Sequence, residues 1–152
     1  MDEEKFTHYI SLFQSTVFRV AYSYVKNRAD AEDIMQEVFL LLYKSEENFA
    51  ADENAKAWLI RTAANRAKNH LKSRWVKGRN DITEDFAFET REDRELLLAV
   101  NRLNKNYRIV IYLYYYEGYG VKEISAMLGI SKTNVKARLK RGRDKLKTLL
   151  EE

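Results

Sequence analysis

An all-α fold of two small helical domains joined by a flexible acidic linker is predicted by three observations. The 152 residues contain no proline and only five glycines, so little interrupts a helix once it starts. Apolar residues recur three or four apart over long runs, the spacing of one helical face. That periodicity lapses once, over VKGRNDITEDFAFETRED, residues 76–93, which also hold most of an acidic block. The expected organisation is therefore 1–75 as an N-terminal domain, 76–93 as the linker, and 94–152 as a C-terminal domain.

The first run is Phe6, Tyr9, Ile10, Phe13, Val17, Val20, Ala21 and Tyr24, a continuous apolar stripe that Asn27 and Arg28 break. Asp30 is expected to cap a second helix through Ser45, with Asp33 in the capping-box place. Its core face is Ala31, Ile34, Met35, Val38, Leu41 and Leu42. The opposite side carries Glu32, Asp33, Gln36, Leu40 and Tyr43, with Phe39 and Glu37 at the edges. Apolar groups among acids fit either a protein-docking surface or a contact with another helix of the same domain.

Asp52 is a candidate cap for a third helix. At about 100° per residue, Ile60, Ala63, Ala64, Ala67 and Leu71 make its core stripe. Trp58 falls on the other side with Thr62, Asn65, Asn69 and Lys72. An aromatic ring beside amides and cations suits unpaired DNA. The indole stacks on a base, Asn65 and Asn69 offer donors and acceptors, and Arg61, Arg66, Lys68, Lys72 and Arg74 meet phosphates. Burial of Trp58 against the aromatic first helix is the alternative.

In the C-terminal half, ELLLAVNRLNK restores the helical pattern. YRIVIYLYYY is rich in β-branched and aromatic residues and would suit a strand by propensity. Its helical surroundings make a buried helix the expectation. The strongest local signal is VKEISAMLGISKTNVKARLKRGRDKLKTLL, residues 121–150, which has the layout of a helix-turn-helix. Ile124 and Leu128 face inward, small Ser125 admits the second helix of the motif, Gly129 supplies the turn, and Ser131 caps that second helix. Val135, Leu139, Gly142, Leu146 and Leu149 form its packing stripe. Thr133, Asn134, Ala137, Lys140 and Arg141 lie opposite, flanked by Lys136 and Arg138. With Lys132 these are the expected DNA-binding residues: short polar side chains and Lys of the N-terminal part face base edges, while Lys140, Arg141 and Arg143 meet phosphates.

Charge supports two polyanion contacts. Residues 51–80 hold eight Lys/Arg against two Asp/Glu, and 101–152 hold twelve against five. Residues 1–50 hold five against nine, and 81–100 two against seven. Cysteine is absent, which excludes disulfides and thiolate metal sites. No apolar run approaches the roughly 20 residues of a membrane span, and the acidic N-terminus is unlike a secretory signal, so the expected location is cytoplasmic. Two histidines and the absence of HExxH, P-loop or paired-carboxylate motifs leave no basis for an enzyme.

Three stretches, AYSYVKNRADAEDIMQEVFLLLYK, AWLIRTAANRAKNHLKSR and EGYGVKEISAMLGISKTNVKARLKRGRDKL, resemble the extracytoplasmic-function sigma factors of bacterial RNA polymerase. The resemblance covers nearly all the chain outside the acidic linker. It implies a protein with no catalytic activity or cofactor that directs core RNA polymerase to promoter DNA. By the same resemblance Asp33, Gln36, Glu37, Phe39 and Leu40 lie where the family docks on polymerase. Trp58, Arg61, Thr62, Asn65, Asn69 and Lys72 lie where it reads and melts the minus-ten element, with Phe49–Lys56 as a loop that captures a flipped base. The helix-turn-helix resembles the minus-thirty-five reader, and the acidic linker suits a basic polymerase channel. Many members are held by an anti-sigma factor, which adds such a protein to the candidate partners. A stand-alone helix-turn-helix regulator is the alternative. Two departures from the family pattern stand out: Leu103-Asn104 replaces Leu-Pro, and Gly118-Tyr119-Gly120 replaces Gly-Leu-Ser.

Overall fold

The computed structural model describes residues 1–73 and 91–151, and every regular element among them is helical. The chain divides into two compact units, Met1–Gly78 and Arg79–Glu152. Most of the segment expected as a linker lies outside the described residues, as does Arg74. Residues 91–93, however, already belong to a helix. No described helix is long and apolar enough to cross a membrane.

The first unit packs three helices: α1 (Glu3–Val25), α2 (Arg28–Lys44) and α3 (Asp52–Ser73). Val17, Val20 and Ala21 of α1 meet Ile34, Val38 and Leu42 of α2 and Leu59, Ile60, Ala63, Ala64 and Ala67 of α3 in a core closed to solvent. The alanine run keeps the α3 surface low, so the helices can approach closely. Leu59 is fully buried although the expected stripe omitted it, because both α1 and α2 flank α3 and widen its covered face.

The corner between α1 and α2 differs from expectation. Lys26 adopts a left-handed φ of 52°, and its N–H donates to the Tyr22 carbonyl at 2.9 Å. This αL stop ends α1. Asn27 is then extended, and its side chain accepts from the Asp30 N–H at 3.0 Å. Asn27, not Asp30, is therefore the cap, and α2 already begins at Arg28. Asp30 sits in the first turn, where the helix dipole favours a carboxylate. Its Oδ2 also lies 3.4 Å from His70 Nε2 of α3. Asp52 likewise lies inside the first turn of α3 and faces His8 at 3.2 Å.

The second unit contains α4 (Arg91–Arg102), α5 (Lys105–Ile111) running into a π-helical turn over Tyr112–Tyr116, α6 (Val121–Leu128) and α7 (Lys132–Glu151). Among its described residues Ile109, Val110, Leu113, Ile124 and Val135 are the most buried side chains. The α4–α5 joint replaces proline with two anchors. Asn104 has φ −58°, close to the proline value, and its side chain accepts from the Asn106 N–H at 2.9 Å. The buried Arg108 guanidinium donates to the Leu103 carbonyl beyond the end of α4. The Gly118-Tyr119-Gly120 departure is also accommodated by packing. Gly118 takes φ 78°, the Tyr119 ring is buried, and the Tyr119 N–H reaches the Leu113 carbonyl at 3.0 Å. Gly120 has no side chain to cap α6, but Glu123 Oε1 accepts from its N–H at 3.2 Å.

The expected buried helix over YRIVIYLYYY holds only for its first half. Tyr114, Tyr115 and Tyr116 are 37%, 56% and 61% exposed. The widened turn, closed by the Glu117 N–H on the Tyr112 carbonyl at 3.1 Å, shifts the helical register and sends these rings outward.

Gly142 sets the distance between α5 and α7. A Cβ there would stand 3.2 Å from Ile111 Cγ1 and 3.3 Å from Tyr107 Cβ. Gly142→Leu is expected to destabilise the chain by about 1–3 kcal/mol through overpacking, despite a helix-propensity gain of up to about 1 kcal/mol. Urea unfolding of the full chain, followed through tyrosine signals, measures this; an unchanged midpoint would show that α5 can yield.

Candidate functional site

Three surfaces carry the chemistry, each set by the packing of its helix. On α3 the buried alanines fix the rotation. This leaves Trp58, Arg61, Thr62, Asn65, Asn69 and Lys72 together on the opposite side, within an arc of about 100°. Arg61, Asn65, Asn69 and Lys72 are exposed; Trp58 and Thr62 are half-buried. The strip from Trp58 to Lys72 rises about 21 Å at 1.5 Å per residue. Thr62 is partly committed, since its hydroxyl donates to the Trp58 carbonyl at 2.7 Å.

Trp58 belongs neither to the core nor to open solvent. Phe49 meets it edge-on at 6.1 Å between ring centroids, and Phe49 in turn packs edge-on against Tyr9 of α1 at 5.7 Å. Lys5 Nζ donates to Asn48 Oδ1 at 3.3 Å beside it. The segment before α3 is therefore pinned over one edge of the indole. Asp52–Lys56, expected as part of a loop, is the opening of α3, so the connection is the shorter stretch 45–51.

On α2, Asp33, Gln36, Glu37 and Leu40 are exposed and share one face, which Tyr43 extends. Leu40 and Tyr43 are 52% and 47% exposed. Phe39 requires a correction: it is only 7% exposed and packs inward. It flanks the core stripe of α2, and the packing of the three-helix unit closes that flank to solvent. The exposed part of the face expected to dock is thus Asp33, Gln36, Glu37 and Leu40.

The helix-turn-helix forms as its spacing requires. Gly129 takes φ 68°, its N–H bonding the Ser125 carbonyl at 3.0 Å. Ser131 Oγ accepts from the Asn134 N–H at 3.0 Å and caps α7. Val135, Leu139 and Gly142 are buried, while Leu146 and Leu149 are half-covered. Lys132, Thr133, Lys136, Lys140, Arg141 and Arg143 are exposed, whereas Asn134, Ala137 and Arg138 are half-buried. Arg138 Nε donates to Asn134 Oδ1 at 3.2 Å, so these two side chains act as a pair. Lys132, Lys136, Lys140, Arg143 and Lys147 fall within about 80° on one flank, a cationic stripe along the length of the helix. Arg143 Nη1 donates to the Tyr115 hydroxyl at 3.0 Å. That hydrogen bond is the first cause that raises the guanidinium above its ordinary value. Nothing in the local sequence marks Tyr115 or Lys147; the first comes from a tertiary contact and the second from extending the helical stripe by one turn.

Comparison with known proteins falls along the same division. The description Sigma-70 region 2 matches residues 9–76, and Sigma-70, region 4 matches residues 93–146. The RNA polymerase sigma factor SigV of Bacillus subtilis is 32% identical over 129 residues, covering 82% of this chain and 78% of that protein. The ECF RNA polymerase sigma factor SigW of the same organism is 25% identical over 171 residues, covering 99% and 91%. Among solved structures, the sigma factor RpoE from Bartonella quintana, in complex with the anti-sigma factor NepR, aligns with a TM-score of 0.77. That match has 19% identity over 97% of this chain and 98% of that one, and shows a shared fold. The chain belongs to the extracytoplasmic-function sigma factors, the promoter-specificity subunits of bacterial RNA polymerase.

Proposed function

We propose that the two units divide the work of promoter recognition, in the order of the two matched regions. Asp33, Gln36, Glu37 and Leu40 dock the first unit on core RNA polymerase through an apolar centre ringed by acidic and amide groups. The strip Trp58, Arg61, Thr62, Asn65, Asn69 and Lys72 receives the minus-ten strand as it unpairs. In the second unit, α7 enters the major groove at the minus-thirty-five element. Lys132, Thr133, Asn134, Lys136, Ala137 and Arg138 approach base edges, and Lys140, Arg141 and Arg143 bind phosphates.

The observation that carries this reading is the pairing of two DNA-suited faces on separate helical units with an acidic, partly apolar face that DNA would repel. A stand-alone helix-turn-helix regulator would use only α6 and α7 and leave the α2 and α3 faces without a role. On this reading the protein has no reaction of its own, acts in the cytoplasm, and presents faces open to an anti-sigma factor, a kind of partner with which the similar RpoE was solved in complex.

The test is reconstitution with bacterial core RNA polymerase on genomic promoter fragments. Promoter-dependent transcripts are expected. Duplex binding by the free chain, with neither core binding nor initiation, would overturn the proposal. Within it, Arg141→Ala is expected to bind duplex DNA roughly tenfold more weakly, the scale of a charge-assisted hydrogen bond worth about 1.5 kcal/mol. The slope of log K against log salt should fall by about 0.9. An unchanged slope would remove Arg141 from the phosphate contacts.

A further inference from the structure

The π-helical turn over Tyr112–Tyr116 presents an exposed phenol to the cationic flank of α7. Two features make this contact unlike an incidental surface bond. First, the widened turn, a rare element in soluble folds, is what directs Tyr115 outward while Leu113 on the same turn stays buried. Second, the partner that Arg143 finds is a neutral hydroxyl. A carboxylate at that place would neutralise the guanidinium and compete with an incoming phosphate. A phenol fixes the side chain while leaving its charge whole. One of five N–H donors is used, so the rest of the fork is available.

We propose that Tyr115 is a positioning residue for promoter binding: its hydroxyl holds the Arg143 guanidinium on the flank of α7, ready for a backbone phosphate of the upstream duplex. This rests on the phosphate role given to Arg143 above. The ordering of a long side chain is then completed on folding rather than at the moment of association. The gain is roughly 2- to 10-fold in affinity, the range for immobilising one rotamer-rich side chain. Tyr115 itself is uncharged and releases no counterion, so its contribution carries no salt dependence of its own.

The test uses the full-length chain, a mixed-sequence duplex of about 30 base pairs, and salt titrations of wild type, Tyr115→Phe, Arg143→Ala and the double variant. Phenylalanine keeps the ring and removes only the hydroxyl at a side chain that is 56% exposed, so the fold is retained. Tyr115→Phe is expected to weaken binding 2- to 10-fold with the salt slope unchanged. Arg143→Ala should lower the slope by about 0.9, and the double variant should bind no more weakly than Arg143→Ala alone. Wild-type affinity in Tyr115→Phe, or losses that add in the double variant, would overturn the positioning role while leaving Arg143 as a phosphate ligand. An Arg143→Ala chain with wild-type affinity and slope would overturn both.

Discussion

Trp58→Ala is expected to slow promoter opening by roughly 5- to 150-fold while closed-complex formation changes little. The range reflects the about 1–3 kcal/mol that an aromatic ring contributes by stacking on an unpaired base. In the proposed division of roles, closed complexes depend on the helix-turn-helix and on phosphate contacts, neither of which involves the indole. Opening exposes bases that the half-buried ring can receive on the part Phe49 leaves uncovered. The substitution also removes the Phe49–Trp58 contact, worth about 0.5–1.5 kcal/mol, so a modest loss of stability should accompany it. Gel-shift binding at low temperature measures the closed complex, and permanganate reactivity of unpaired thymines measures opening. Parallel losses in both assays would make the indole a packing residue of the first unit and nothing more.

Leu40→Asp is expected to weaken binding to core polymerase about 30-fold or more, the scale of a truncated interface anchor at about 2 kcal/mol. It places a charge at the centre of the α2 face, beside Asp33 and Glu37, on a side chain already 52% exposed. Its effect on stability should stay within about 0.5 kcal/mol. The neighbouring Phe39→Ala should behave in the opposite way. Phe39 is buried, so its truncation should cost about 3–5 kcal/mol of stability in the first unit. Paired measurements of thermal unfolding and polymerase affinity on both variants test the assignment. Loss of affinity in Phe39→Ala without loss of stability would return Phe39 to the docking face.

What was legible in the sequence was local and periodic. The stripe on α1, the capped turn at Gly129 and Ser131, and the shared face from Trp58 to Lys72 all arise from residues within a few positions of one another. Such short-range geometry is nearly fixed once a helix forms. Other features depended on what lies across the core. Phe39 sits beside the core stripe of α2, and only the packing of the three-helix unit decides whether that flank is covered. Asn27 and Asp30 are both able to cap, and the left-handed turn at Lys26 selects the first. The π-helical register near Tyr114 is a small backbone adjustment that packing around Tyr119 and α6 settles. The bond between Arg143 and Tyr115 joins residues 28 positions apart, and no local pattern announces it.

The aromatic placement has a spectroscopic consequence. Of the chain's two tryptophans Trp58 is among the described residues and lies in the first unit, while the described residues of the second hold Tyr107, Tyr112, Tyr114, Tyr115, Tyr116 and Tyr119 and no indole. Excitation at the red edge, where only indole absorbs, therefore excites no described residue of the second unit. Because Phe49 shields one edge of Trp58, release of that contact should shift emission toward that of a fully hydrated indole. Tyrosine ellipticity draws on both units, with Tyr9, Tyr22, Tyr24 and Tyr43 in the first and six in the second. A transition in the tyrosine signal with no counterpart in indole emission thus belongs to the second unit, and is distinguished without attaching any label.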